Sequence, residues 1–166
     1  MGVMGYKVST GGELQLPLGY KFDPTDRDIL CQYLKKKING EEIMVIIPTA
    51  DVYSRSPALI CTHQVRYGLS NQWFFYTTAA ATGDNGVVKA RNGCYYEVIG
   101  ERDVYEDNLI WVGVVRRLEY HWANGTKTDW VVDEFSLPDY GETAAVNDDK
   151  KKVVMCRIRF MQPIEI

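Results

Sequence analysis

The sequence predicts an α+β domain in which one early helix is followed by a twisted, mostly antiparallel sheet. Three observations predict it. Aromatic residues are plentiful, with 11 Tyr, 5 Phe and 4 Trp, and such residues suit a pleated, half-buried surface. Apolar residues at helical spacing, Ile29, Leu30, Tyr33 and Leu34, occur in one place only, close to the start. The second half consists of strand-like runs separated by turn residues, with Asn124-Gly125 as the clearest hairpin signal. A chain of 166 residues suits a single domain with enough length to bury a core.

Each element follows in order. Residues 1–15 hold four glycines among few apolar residues and are expected to be a flexible arm. The domain proper is expected over 16–160, and 161–166 is a short C-terminal end. Leu16 to Phe22 contains Pro17 and Gly19 and reads as an edge strand or an extended entry. Thr25-x-x-Asp28 is a helix start: the Thr hydroxyl can accept from a backbone N–H, and the Asp carboxylate favours the positive end of the helix dipole. Lys35, Lys36 and Lys37 fall in the last turn, where cations oppose the negative end, and Asn39-Gly40 stops the helix. The lysine run reads first as a solvated helix end; a DNA patch or a targeting signal are its other readings. Gln72 to Tyr76 is a strand with at least one packed face. Thr77 to Asn92 and Pro138 to Lys151 are expected to be long polar loops. Gly93–Ile99, Ile110–Trp122, Thr126–Phe135 and Lys152–Phe160 are the remaining strands.

Several function classes find no support. No GxSxG, HExxH, P-loop or GxGxxG pattern occurs, so no enzyme is expected. Asp133-Glu134 is a carboxylate pair inside a strand, where neighbours point to opposite faces and cannot act together as acid and base. One of the two is expected to be solvated and the other ion-paired. Cys31, Cys61, Cys94 and Cys156 are far apart and, with His63 and His121, give no zinc-ligand spacing. They read as reduced thiols, and no metal or other cofactor is expected. The N-terminus has no apolar h-region, and no stretch nears the ~20 apolar residues of a membrane span, so a soluble intracellular protein is expected. The net charge is −3, from 19 basic and 22 acidic residues. That balance argues mildly against strong nucleic-acid affinity but is compatible with a local basic face.

Five blocks resemble the NAC domain of plant transcription factors. They are LPLGYKFDPTDRDILCQYL from Leu16, IPTADVY from Ile47, QWFFY from Gln72, the stretch from Val112 that ends GTKTDWVVDEFSL, and VVMCRIRF from Val153. Together they span about residues 16–160. The resemblance implies a twisted antiparallel sheet flanked by a few helices. It also implies a nuclear protein that forms a homodimer, or a heterodimer with other NAC proteins, and binds double-stranded DNA with a CGT-containing core to regulate transcription. For the dimer, it points to Leu16, Pro17, Leu18 and Gly19 as the apolar part and to Lys21 and Asp28 as the ion pair. Both charges are of the family's sign, but lysine lacks the bidentate fork of arginine.

The resemblance places the DNA-reading strand at Cys94–Gly100, where the family has roughly GYWKATG. Here Tyr95 and Gly100 match. Tyr96 replaces tryptophan, Glu97 replaces lysine, and Val98 and Ile99 replace Ala and Thr. A carboxylate ~6 Å from a phosphate exchanges an attraction of about 0.7–3 kcal/mol for a repulsion of the same size. Glutamate can still accept from cytosine N4. The other contact residues implied are Lys89, Arg91 and Lys127, with one of Arg116 and Arg117 as a further phosphate partner, since these two alternate across a strand. The hairpin lysines of the family are reduced to Lys127. Losing about two phosphate contacts per subunit would reduce the salt slope by roughly 1.8. Two readings follow: a DNA-binding transcription factor module, or a NAC-like dimerising module with weak or lost DNA binding that modulates other NAC proteins. Trp122 is expected to pack across its hairpin.

Overall fold

The computed structural model describes residues 7–8, 14–15, 22–43, 47–61, 71–83, 85–107, 109–138 and 152–161. Lys7–Val8 (β1) and Leu14–Gln15 (β2) pair antiparallel, within the stretch expected to be an arm without structure. The early helix (α1) forms as expected, from three continuous pieces: Asp26–Asp28, a π-helical Ile29–Leu34, and Lys35–Ile38. Its start is a reciprocal capping box. Asp28 N–H donates to Thr25 Oγ1 at 3.1 Å, and Thr25 N–H donates to the Asp28 carboxylate at 3.2 Å. Two of the helix-start donors are thereby satisfied. Asn39-Gly40 ends it, with Gly40 in the left-handed region at φ 72°. Ile29, Leu30 and Leu34 are fully buried, each contributing roughly 1.5–3 kcal/mol by leaving water.

The sheet has the strand order β3-β8-β7-β6-β5-β4, antiparallel throughout. Its members are β3 (Gln72–Thr78), β4 (Val87–Lys89), β5 (Tyr95–Glu106), β6 (Ile110–His121), β7 (Lys127–Ser136) and β8 (Val153–Phe160). A short helix, Pro57–Cys61 (α2), lies between α1 and β3. Four further elements depart from the sequence expectation. β4 lies inside the stretch expected to be a loop, and a 3₁₀ turn at Arg91–Gly93 spans the boundary between that loop and the strand expected from Gly93. β5 continues seven residues past Ile99, and α2 was not expected.

Both faces of the sheet are covered, because alternate side chains enter different cores. Trp73, Phe75, Val132, Val154, Cys156, Ile158, Leu118, Tyr120 and Tyr96 join Val52, Tyr53 and α2 on one face. Phe74, Tyr76, Val115, Phe135 and Met155 meet Phe22 and α1 on the other. Gly113 permits the close approach of α1: a Cβ there would lie 2.7 Å from Leu30 and 2.6 Å from the Ser136 carbonyl.

Asp133 and Glu134 do point to opposite faces, but neither is solvated; they expose 0% and 4% of their surface. Arg117 Nε, Arg157 Nη2 and Arg159 Nη2 meet the Asp133 carboxylate at 2.8, 2.9 and 2.9 Å. Burial alone would push that carboxyl up; hydrogen bonds from Arg117 and Arg157 and the charges of Arg159 and Arg157 hold it below its ordinary value. Glu134 receives Arg116 Nη2 at 2.8 Å, the Tyr53 hydroxyl at 2.8 Å and Ala80 N–H at 3.2 Å. The four cysteines are free. Burial pushes the Cys61 thiol up to about 12 and the Cys156 thiol well above its usual range. Among the described residues, no helix is long and apolar enough to cross a membrane.

Candidate nucleic-acid interface

The strand matched to the family's DNA-reading segment is β5, and the elements around it set which side chains can reach a partner. β4 covers only its start, pairing Val87, Val88 and Lys89 with Glu97, Tyr96 and Tyr95. The turn between β4 and β5 needs two residues in the left-handed region, Asn92 at φ 59° and Gly93 at φ 80°. Gly93 also lies close to the β6–β7 hairpin: a Cβ there would be 3.1 Å from Ala123 Cβ. The turn carrying Arg91 and the hairpin preceding Lys127 are thereby held side by side. The hairpin closes through Gly125 N–H to the Trp122 carbonyl (2.8 Å) and Trp122 N–H to the Thr126 carbonyl (3.0 Å).

Alternation along β5 divides the residues expected to contact DNA. Tyr95 and Glu97 lie on the α1 face, Tyr96 and Val98 on the other. Tyr96 is a core residue and not a surface contact: it is 0% exposed. Its hydroxyl donates to the Arg55 and Val52 carbonyls at 2.9 and 3.1 Å, and its ring meets Tyr53 edge-on. Burial raises its phenol far above the usual value. Val98 is half-buried against the same core. Ile99 is the extra residue of a β-bulge, since pairing passes from Val98↔Leu118 to Gly100↔Arg117. The bulge leaves Ile99 47% exposed. Lys89 and Arg91 are exposed. Lys127 is exposed too, but its ammonium lies 3.1 Å from Glu119.

Glu97 has a neighbourhood that sequence reasoning missed. It pairs directly across the strands with Glu119, and Tyr95 with His121. Glu97 and Glu119 oxygens lie 3.7 and 3.8 Å from His121 Nε2. His121 exposes 8% of its surface, stacks on Tyr95 at 4.8 Å and 6°, and places Nδ1 3.3 Å from the Gly125 carbonyl. No motif in the sequence joins these three residues, which only strand register brings together.

Arg116 and Arg117 do alternate across β6, but each is engaged by a buried carboxylate, Glu134 and Asp133. Trp122, expected to pack across its hairpin, instead meets Tyr120 of its own arm edge-on at 5.6 Å and remains 48% exposed. Of the residues expected at a dimer contact, Leu16, Pro17, Leu18, Gly19 and Lys21 lie outside the described residues. Asp28 is half-buried as the capping partner of Thr25.

Residues 17–137 match the profile of the family described as No apical meristem (NAM) protein. Among curated relatives, NAC domain-containing protein 86 of Arabidopsis thaliana is 29% identical over 87% of this chain and 32% of its own length. NAC domain-containing protein 1 of Solanum lycopersicum is 29% identical over 86% of this chain and 53% of its own. The Arabidopsis Transcription factor JUNGBRUNNEN 1 is 29% identical over 95% of this chain and 58% of its own. The chain thus spans between about a third and three-fifths of the length of these relatives. A profile match across most of the chain, on an antiparallel sheet with few helices, makes this chain a divergent member of the NAC domain family.

Proposed function

We propose that this chain is the DNA-contacting and dimerising module of a plant transcription factor, acting in the nucleus on sites with a CGT-containing core. The observation that carries the reading is the position of the family's reading segment. It falls at the start of β5, flanked by exposed Lys89 and Arg91 on the short edge strand and its turn. Ile99 projects beside them, so an apolar contact to a thymine methyl is available as well as phosphate contacts. JUNGBRUNNEN 1 is named as a transcription factor, in keeping with this role. Affinity is held low, because the same edge carries Glu97 opposite Glu119, and Lys127 is partly neutralised by Glu119. Fluorescence anisotropy with a CGT-containing duplex and a scrambled one tests the reading. Preference for the CGT duplex at moderate salt is expected; equal binding to both contradicts it.

A second reading has its own support in the Glu97–Glu119 pair and the net charge of −3. In it the module dimerises with other NAC proteins and weakens their DNA binding. Failure to bind either duplex, with intact dimerisation, favours this reading.

A further inference from the structure

We propose that His121, Glu97 and Glu119 form a binding site for a divalent first-row metal ion such as Zn²⁺. The inference begins with the imidazole. Nδ1 faces the Gly125 carbonyl at 3.3 Å. A carbonyl can only accept, so Nδ1 carries the hydrogen, and in the neutral ring Nε2 presents its lone pair. A histidine that gives its second N–H to a backbone carbonyl is the usual arrangement of a metal ligand. Stacking on Tyr95 fixes the ring plane.

Nε2 is buried and has no hydrogen-bond partner, although His121 is more than nine-tenths buried. It points at two carboxylate oxygens, 3.7 and 3.8 Å away. In the neutral ring this lone pair faces two anions, a repulsion that a cation bound among them removes. Those distances are too long for a proton shared in an N–H···O bond, which closes to about 2.7–3.2 Å. They are close to the spacing around a metal: bonds of about 2.0–2.1 Å in tetrahedral Zn²⁺ place ligand atoms roughly 3.3 Å apart. The three ligand atoms lie within 4.8 Å of one another, so the site closes by a few tenths of an ångström at His121 and by up to about 1.5 Å between the two carboxylate oxygens, a movement open to the half-exposed Glu97 side chain.

The surroundings favour the same occupant. Lys127 holds Glu119 Oε2 at 3.1 Å and leaves Oε1 for the site. The Glu97 side chain is 46% exposed, so the ion has a path from solvent and a water can supply the fourth ligand. Imidazole with two carboxylates suits zinc better than calcium or magnesium, which prefer oxygen alone. A bound dication would cancel both carboxylate charges on the edge proposed to face DNA. That consequence rests on the proposed function, whereas metal binding itself is measured without DNA, so the two fail separately.

Isothermal titration calorimetry of the purified chain with Zn²⁺ tests the site. One equivalent should bind to the native protein. Glu97→Gln and Glu119→Gln should each weaken binding about tenfold or more, by analogy with the loss seen when partners of metal ligands are removed, and His121→Gln should abolish it. Because His121 is buried, the surface variant Glu97→Gln keeps the test decisive if His121→Gln fails to fold. With two histidines in the chain, the imidazole NMR signals give a second readout, in which Zn²⁺ must shift those of His121. Absence of a one-equivalent site, unchanged affinity in Glu97→Gln, or a shift at His63 alone overturns the proposal.

Discussion

Glu97 and Asp133 are both acidic, yet their surroundings give them opposite consequences. Asp133 is surrounded by three guanidiniums and fully buried. Removing its charge leaves three cations without a shared counter-ion, and breaking a buried ion pair costs about 3–5 kcal/mol. Asp133→Asn should therefore lower the unfolding free energy by roughly that amount in urea denaturation; a loss below about 1 kcal/mol would place the pairs among weak surface bridges. The folded carboxyl is held below its unfolded value. Its stabilisation is complete above the unfolded value near ~3.9 and is lost as pH falls through the lower, folded one. Asp133→Asn should lose that part of the acid dependence. Glu97, by contrast, is half-exposed and faces another carboxylate. Like charges directly opposite each other in a sheet are destabilising, so the Glu97 charge does not support the fold.

At the scale of elements, local chemistry was legible and register was not. The helix could be read from Thr25, Asp28, its apolar spacing and Gly40, because capping and periodicity are local. Thr25→Ala removes the capping hydroxyl and should cost about 1 kcal/mol by thermal or denaturant unfolding; no change would mean that the Asp28 half of the box suffices. The long strands announced themselves through β-branched and aromatic runs. β4 did not, because three residues, Val87 to Lys89, are too few to show a period. The second half of β5, Gly100 to Glu106, reads as polar because those side chains are mostly exposed. The pairing of Glu97 with Glu119 was hidden for a further reason. Pairing shifts between Val104 and Tyr105 and again at Ile99, and a shift of one residue moves every later side chain to the other face. The same alternation removes Tyr96 from any contact surface, although it sits beside Glu97 in sequence. His121 carries no motif around it; its role depends on two strands and a hairpin carbonyl that only the fold brings together.

For the whole molecule, the two sheet faces have separate tasks. One packs under α1 and the other under α2 and the segment around Val52 and Tyr53, and the β4–β5 edge is the surface proposed to meet a partner. An edge with free strand groups also invites pairing with other strands, and β4 is kept to three residues. Dimerisation is the companion proposal. If Lys21 and Asp28 meet across a two-fold axis, light scattering should find a dimer at low salt that weakens as salt rises; a monomer at low salt and micromolar concentration would contradict it. The central claim is that the β4–β5 edge faces DNA and that Glu97 holds its affinity down. A salt-titrated anisotropy measurement on a CGT-containing duplex, comparing the native chain with Glu97→Lys, tests it most directly. The account predicts weak binding for the native chain, a gain of about tenfold or more in the variant, and a salt slope steeper by about 0.9 for each new phosphate contact. Unchanged affinity and slope in Glu97→Lys, or tight and steeply salt-dependent binding by the native chain, would contradict it.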